Sequence, residues 1–202
     1  MALSLPQNHS ERLRLQEAPV IRTLSLLAAG LALTASVGLA DTTPRKDRQV
    51  FNDIAESVNR YAQFTIFDDI SASVRDGVVT LTGKVTMPYK RDDIEKRVAK
   101  VAGVQRVDNR VTVLPVSSFD DELRRRLARS IYGNSNFWTY AAMANPPIHI
   151  IVEHGRVTLT GVVNSNIDRM LARSLATQFG VMSVTNNLKT DAEVQAALEK
   201  SE

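Results

Sequence analysis

The chain has no cysteine among its 202 residues. This absence excludes a disulfide framework, a thiol nucleophile, a zinc ribbon and a membrane anchor built on a lipid-modified cysteine. Small exported domains usually rely on disulfides, so the stability of this chain must come from packing. Aromatic residues are scarce as well, at 5% of the chain with a single tryptophan, Trp138.

An excess of charge of one sign is also lacking. The chain has 25 basic and 22 acidic residues. Residues 41–202 alone have 22 basic and 20 acidic residues. A net charge this close to zero gives no reason to expect a nucleic-acid partner.

Only one long apolar run is present, from Thr23 to Leu39, and it follows Arg22 and two earlier arginines. It ends in small residues at Gly38-Leu39-Ala40. The basic segment, the apolar run and the small residues at its end are the three parts of a secretory signal peptide. They predict such a peptide over residues 1–40, cleaved after Ala40, and a mature periplasmic protein. A polar leader over residues 41–46 follows. The alternative is an uncleaved segment that anchors the chain in the inner membrane.

Two phrases occur twice in the chain. Gly77-Val-Val-Thr-Leu-Thr-Gly-Lys-Val85 matches Gly155-Arg-Val-Thr-Leu-Thr-Gly-Val-Val163. Further on, Gly103-Val-Gln-Arg-Val-Asp-Asn-Arg-Val111 matches Gly180-Val-Met-Ser-Val-Thr-Asn-Asn-Leu188. A repeat of this size predicts a tandem pair of one small domain.

The first copy reads as helix, strand, strand, helix, strand, which is an α+β pattern. Apolar residues recur every four positions from Val50, as on an amphipathic helix. Asp76-Gly77 predicts the turn of a β-hairpin, and Pro88 predicts the start of a second helix. Alternation from Val107 to Val113 predicts the third strand.

The second copy repeats this order. Its first helix is predicted to be capped by Ser118, with a buried stripe formed by Phe119, Leu123, Leu127 and Ile131. His154-Gly155 marks the hairpin turn. Ser165 is predicted to cap the next helix, whose Ile167, Leu171 and Leu175 are expected to face inward. A short tail helix is predicted from Asp191.

With both phrases present in both copies, the chain resembles the BON domain family in its OsmY-like arrangement, two copies behind an export signal. The match predicts a first BON domain over 47–115, a linker over 116–118, a second BON domain over 119–190 and a tail helix over 191–202. The resemblance implies that each domain is a three-stranded mixed sheet packed by two helices. It further implies a periplasmic, non-enzymatic protein associated with the cell envelope and osmotic stress, with phospholipid surfaces as ligands and no cofactor.

The remaining polar motifs favour structural roles over catalysis. Gly77, Gly83, Gly103, Gly155, Gly161 and Gly180 are interpreted as turn and cap positions, since their spacing does not match a phosphate-binding loop. The acidic pairs Asp68-Asp69, Asp92-Asp93 and Asp120-Asp121 lie at expected element starts, where aspartates cap helices. His149 and His154 lack a third ligand at suitable spacing, so no catalytic residue and no metal site is predicted.

The two copies differ at a five-residue insertion in the second, between its first helix and its hairpin. A candidate lipid-binding site is predicted there and on the preceding helix, formed by Arg125, Arg129, Tyr132, Phe137, Trp138 and Tyr140. Outward arginines suit an anionic phospholipid surface, and Trp and Tyr favour the headgroup region. One alternative places these arginines in a solvated charged helix paired with Asp120, Asp121 and Glu122, with Trp138 in the interdomain core. Another is a scaffolding module that binds an envelope protein through the aromatic loop or a sheet edge.

Overall fold

The hairpin phrase of the first copy forms two antiparallel strands, β1 (Asp69–Arg75) and β2 (Val78–Val85), in a computed structural model that describes residues 46–199. Asp76 and Gly77 join them with φ of 51° and 74°, as a two-residue type I′ turn requires. The predicted signal peptide and its cleavage site lie outside the described residues.

Two helices and two short strands complete the first domain. Helices α1 (Asp47–Asn59) and α2 (Pro88–Val98) pack on the sheet, and Pro88 occupies the first turn of α2, where its missing N–H costs nothing. Strands β3 (Arg106–Asn109) and β4 (Thr112–Val113) both run parallel to β2. The α+β class and the mixed sheet predicted from the sequence are confirmed.

The predicted third strand is interrupted. The side chain of Asn109 accepts a hydrogen bond from the amide of Val111 at 3.1 Å and donates to the carbonyl of Arg91 in α2 at 3.2 Å. The amide of Arg110 still donates to the carbonyl of Leu81 in β2 at 2.8 Å, and the regular pairing breaks between this residue and Thr112. Two short strands, β3 and β4, therefore lie one after the other along β2 in place of one continuous third strand. Asn186 makes the equivalent bonds to Leu188 and Arg169 in the second domain.

The second domain repeats the layout. Its elements are α3 (Ser118–Tyr132), a 3₁₀ turn (Ser135–Phe137), α4 (Trp138–Ala141), β5 (Ile148–Glu153), β6 (Arg156–Val163), α5 (Asn166–Ala176), β7 (Ser183–Asn186), β8 (Lys189–Thr190) and α6 (Asp191–Glu199). Strand β6 pairs with β5 antiparallel and with β7 and β8 parallel. The insertion contributes the 3₁₀ turn and α4, which were expected to be loop.

Two predicted core positions are wrong. Leu123, Leu127 and Ile131 are buried as expected, but Phe119 is 55% exposed because it lies at the flank of α3 in the first turn. Ile167 is 75% exposed at the start of α5. Further along α5, Leu171 and Leu175 pack on the core as predicted, beside the fully buried Ala172 and Ala176.

Some predicted caps are also displaced. Ser117 caps α3, since its hydroxyl accepts from the amide of Asp120 at 3.2 Å, and α3 begins at Ser118 within the predicted linker. Ser165 caps α5 as predicted, accepting from Asp168. Gly103 and Gly180 have φ of 93° and 89° but lie beyond the helix ends, in the loops that lead to β3 and β7, so they are turn residues and not helix caps.

The two domains are in direct contact through the segment that precedes β1. The amide of Ile150 in β5 donates to the carbonyl of Ile66 at 2.7 Å, and the ring of Phe67 packs against the core of the second domain. His149 bonds the carbonyl of Asp68 through Nδ1 at 2.6 Å. Because a carbonyl accepts only, this nitrogen carries the proton. Lys84 forms an ion pair with Glu153 across the same boundary.

Candidate functional site

The outward face of α3 carries Arg125 and Arg129. Both side chains are exposed, and within residues 46–199 neither has an acidic partner at ion-pair distance. Glu122 shares this face. The sequence placed Arg125 and Arg129 outward from the helical period, and the structure puts them there.

The other two arginines of α3 hold the domain together. Arg124 is buried, donates to the carbonyl of Val152 in β5 at 2.6 Å and pairs with Asp121. Arg126 donates to the carbonyl of Phe179 at 2.8 Å. Of the ion pairs expected in the alternative of a solvated charged helix, the described residues contain one, between Arg124 and Asp121, and this arginine is buried and not solvated.

The aromatic residues of the predicted site divide between core and surface. Phe137 is fully buried and Tyr140 nearly so, both in the hydrophobic core. The prediction that these two residues lie on the surface is therefore wrong. Tyr132 packs on this core. Trp138 alone is exposed, at 68%, which excludes the alternative that places it in the interdomain core. Phe137 and Tyr140 face inward because the 3₁₀ turn and α4 fold back onto the domain.

Both tyrosine hydroxyls have structural hydrogen bonds. Tyr132 donates to the carbonyl of Ile148 at 2.5 Å and accepts from its amide at 3.0 Å. Tyr140 donates to Asp168 at 3.1 Å and accepts from the amide of Asn164 at 2.8 Å. Burial is the main cause that raises the pKa of each phenol. The hydroxyls therefore stay protonated and serve the fold.

An exposed apolar cluster lies beside the N-terminal end of α3, and we call it the end patch. It consists of Phe119, Phe179 and Met182, exposed by 55%, 94% and 74%. A Cβ atom at Gly180 would lie 3.3 Å from the Phe119 ring and 3.2 Å from the guanidinium of Arg126. Large apolar residues grouped in this way typically mark a contact surface.

The sequence analysis missed the end patch, although the repeat contains a signal for it. Aligned on the shared glycines, Phe179 and Met182 correspond to Ala102 and Gln105 of the first copy. Within the helices, Arg129 corresponds to Glu56. Comparison of the copies at these positions shows that the second domain has apolar residues in the end patch, and a basic residue in the last turn of α3, where the first domain has small, polar or acidic ones.

Asp68 and Asp120 have structural partners, as predicted, but neither caps a helix. Asp120, fully buried, accepts from the amides of His154 and Gly155 at 2.8 Å each and so fixes the hairpin turn. Asp68 accepts from the ammonium of Lys90 at 2.7 Å and from Thr86. Among the described residues no group of three His, Asp or Glu side chains is placed to hold a metal ion. The same part of the chain contains no helix both long and apolar enough to cross a bilayer.

The class of protein follows from this repeated α-β-β-α-β architecture and its sequence. The BON domain profile matches residues 47–115 and 120–201, and the chain belongs to the BON domain family, with two copies. The family is in general non-enzymatic and associated with the cell envelope. No curated protein matches this chain in sequence.

Solved structures similar to parts of the chain include two of CdsD. One is the C-terminal domain of CdsD, a structural protein of the type III secretion system of Chlamydia trachomatis, with 16% identity over 71% of this chain and 66% of that one, just under two thirds of its length, and a TM-score of 0.31. The other, also from structural studies of CdsD, has 14% identity over 74% of this chain and 99% of that one, with a TM-score of 0.28.

Proposed function

We propose that the protein is a periplasmic, non-enzymatic envelope protein that binds anionic phospholipid surfaces through its second BON domain. The observation that carries this proposal is the exposed pair Arg125 and Arg129 on α3, without acidic partners in residues 46–199, next to exposed apolar side chains. The end patch flanks the start of α3, and Trp138 follows its end.

The expected binding is weak and reversible. Each arginine near an anionic surface contributes about 1 kcal/mol. Two arginines alone thus leave the protein mostly in solution, and insertion of apolar side chains has to supply the rest. Full burial of one large apolar side chain is worth about 1.5–3 kcal/mol. Trp138, Phe119 and Phe179 are exposed enough to supply such burial.

The proposal assigns the lipid contact to Arg125, Arg129, Trp138 and the end patch. The lipid contact also depends on the packing of the inserted segment against the core, which involves Tyr132, Phe137 and Tyr140. The association with osmotic stress belongs to the proposal as well, because a surface-binding periplasmic protein can act where the envelope is under mechanical load.

Vesicle flotation tests this function. The mature protein should float with vesicles that contain anionic phospholipid and not with vesicles of neutral phosphatidylcholine. Binding should weaken as salt rises from 50 to 500 mM, because salt screens exposed charges. Equal binding to both vesicle types at every salt concentration would contradict it.

A further inference from the structure

Helix α5 presents two large apolar side chains to solvent. Ile167 and Met170 are exposed by 75% and 65%, and because they lie three positions apart they are neighbours on one face of the helix. The opposite face holds Ala172 and Ala176 in the core. Arg173 follows on the exposed side, and within residues 46–199 it has no acidic partner at ion-pair distance. The exposed side of α5 thus carries apolar groups and an unpaired charge.

Helices α3 and α5 pack side by side over one hydrophobic core. Arg126 of α3 donates to the carbonyl of Phe179, just beyond the end of α5. Ser130, one turn further along α3, donates to the carbonyl of Leu175 at 3.2 Å, one turn earlier in the chain. The two helices are therefore antiparallel, and the start of α5 lies beside the end of α3. We call the two together the helix layer.

Exposed apolar side chains lie at both ends of the helix layer, and the outward arginines of α3 lie between them. The end patch is at the start of α3. Trp138, Ile167 and Met170 are at the other end, where the hydroxyl of Tyr140 in α4 bonds Asp168 in α5 at 3.1 Å. Helix α3 has 15 residues and spans about 22 Å. Two apolar regions this far apart can fix the orientation of the layer on a flat surface.

The two copies of the domain differ on this helix in the direction already seen for α3. Met170 stands where the first copy has Asp92, and Arg173 stands where it has Glu95. All four side chains are exposed, so core packing does not account for the difference. Loss of acidic groups together with gain of basic and apolar ones suits an anionic bilayer, which accepts both positive charge and apolar side chains.

We propose that α5 is a second membrane-contact helix and that the helix layer lies flat on an anionic phospholipid bilayer. Ile167 and Met170 insert among the headgroups, and Arg173 faces the phosphates. This inference rests on the proposed function and adds α5 to the contact assigned there to α3, Trp138 and the end patch. The contact requires no rearrangement of the fold, because these side chains are already exposed.

A fluorescent label at residue 170 tests the contact directly, and no native cysteine competes for the label. The mature protein with Met170→Cys carries an environment-sensitive fluorophore, and vesicles of mixed phosphatidylglycerol and phosphatidylcholine are added. We expect the emission to shift to the blue, because the label enters an apolar environment. The matched control is Asp92→Cys, the same exposed position on α2 of the first copy, whose emission should not shift.

Two unlabelled variants measure what α5 contributes to affinity. Arg173→Glu should weaken binding about thirtyfold, because one attractive charge is lost and one repulsive charge is gained. Its control Lys96→Glu makes the same change on α2 and should stay within about threefold of the parent. Ile167→Ser/Met170→Ser should weaken binding about tenfold without changing its salt dependence, because it removes apolar burial and no charge. The thermal melts should match that of the parent, since these positions are exposed.

The inference is overturned if the label at residue 170 does not shift at a vesicle concentration that floats the protein, or if Arg173→Glu binds as the parent does. The contact through α3 then stands alone. It is also overturned if the label is already shielded in a dimer without vesicles, because the occupant is then a second molecule of the chain. Failure of the parent itself to float with anionic vesicles would overturn the proposed function, and the role of α5 with it.

Discussion

The carbonyl of Ile66 accepts a 2.7 Å hydrogen bond from the amide of Ile150, and this bond joins the turn that precedes β1 in the first domain to the edge of β5 in the second. Each domain has about 70 residues, a size at which a single hydrophobic core gives modest stability. The contact also covers the edge of β5, which would otherwise expose backbone groups. The two domains therefore stabilise each other.

Phe67→Ala tests this coupling. Removal of a half-buried ring that packs on the neighbouring core should lower the free energy of unfolding by about 2 kcal/mol, roughly half the loss for a fully buried phenylalanine. The second domain should be affected although Phe67 belongs to the first. Urea denaturation provides the measurement. Phe51→Ala, a half-exposed control in the first domain, should cost less than half as much.

The buried pair of Asp68 and Lys90 predicts a pH dependence. Burial alone would raise the pKa of Asp68, but hydrogen bonds from Lys90, Thr86 and Thr65 together lower it below the ordinary 3.8. The stabilisation is thus complete above pH 3.8 and is lost as the pH falls through the lower, folded-state pKa.

Asp68→Asn should remove this component of the acid dependence and cost about 3–5 kcal/mol at neutral pH, because it leaves a buried ammonium without its counter-charge. Denaturation curves between pH 2 and 7 provide the measurement, with the exposed Asp92→Asn as control. A variant as stable as the parent at pH 7 would show that the pair is unimportant.

Gly161 should tolerate no side chain. Its φ is 113°, and an added Cβ would lie 1.8 Å from the carbonyl oxygen of Pro147. We expect Gly161→Ala to lower the free energy of unfolding by about 3 kcal/mol or more. In Gly155→Ala the added Cβ closely approaches only the flexible side chain of Met182, while the carbonyl oxygen of Gly180 is at an ordinary 3.5 Å. This substitution should cost about 1–2 kcal/mol, the usual penalty for a left-handed alanine. Similar melting temperatures for the two variants would contradict this account.

Trp138 provides a direct probe of the lipid contact, because it is the only tryptophan and is exposed. Its fluorescence should shift to the blue when anionic vesicles are added. Trp138→Ala should weaken binding about tenfold through lost burial and leave the salt dependence unchanged. An unshifted spectrum at a vesicle concentration that floats the protein would show that this residue stays in water.

The sequence predicts well what depends on local pattern. The hairpin turns follow from Asp76-Gly77 and His154-Gly155, and the outward position of Arg125 follows from the helical period. The role of Asn186 follows from the preference of asparagine for local backbone bonds, and its bonds to Leu188 and Arg169 confirm this.

What the sequence does not predict depends on distant contacts. Helix α4 has only four residues, so no helical recurrence of apolar residues shows that Tyr140 faces inward and Trp138 outward. The burial of Asp120 depends on a hairpin turn 34 residues away in the chain. Coverage of β5 by Ile66 depends on how one domain docks on the other, and no local pattern encodes it.

The central claim is tested most directly by vesicle binding of the double variant Arg125→Glu/Arg129→Glu. Loss and reversal of two charges should cost about 4 kcal/mol, roughly a thousandfold in affinity, without a change in the thermal melt. The control Lys96→Glu/Lys100→Glu makes the same change in net charge at the exposed C-terminal end of α2 and in the turn just beyond it, and should bind within about threefold of the parent. If the Arg125→Glu/Arg129→Glu protein binds anionic vesicles as the parent does, α3 does not face the membrane and a protein partner becomes the better account.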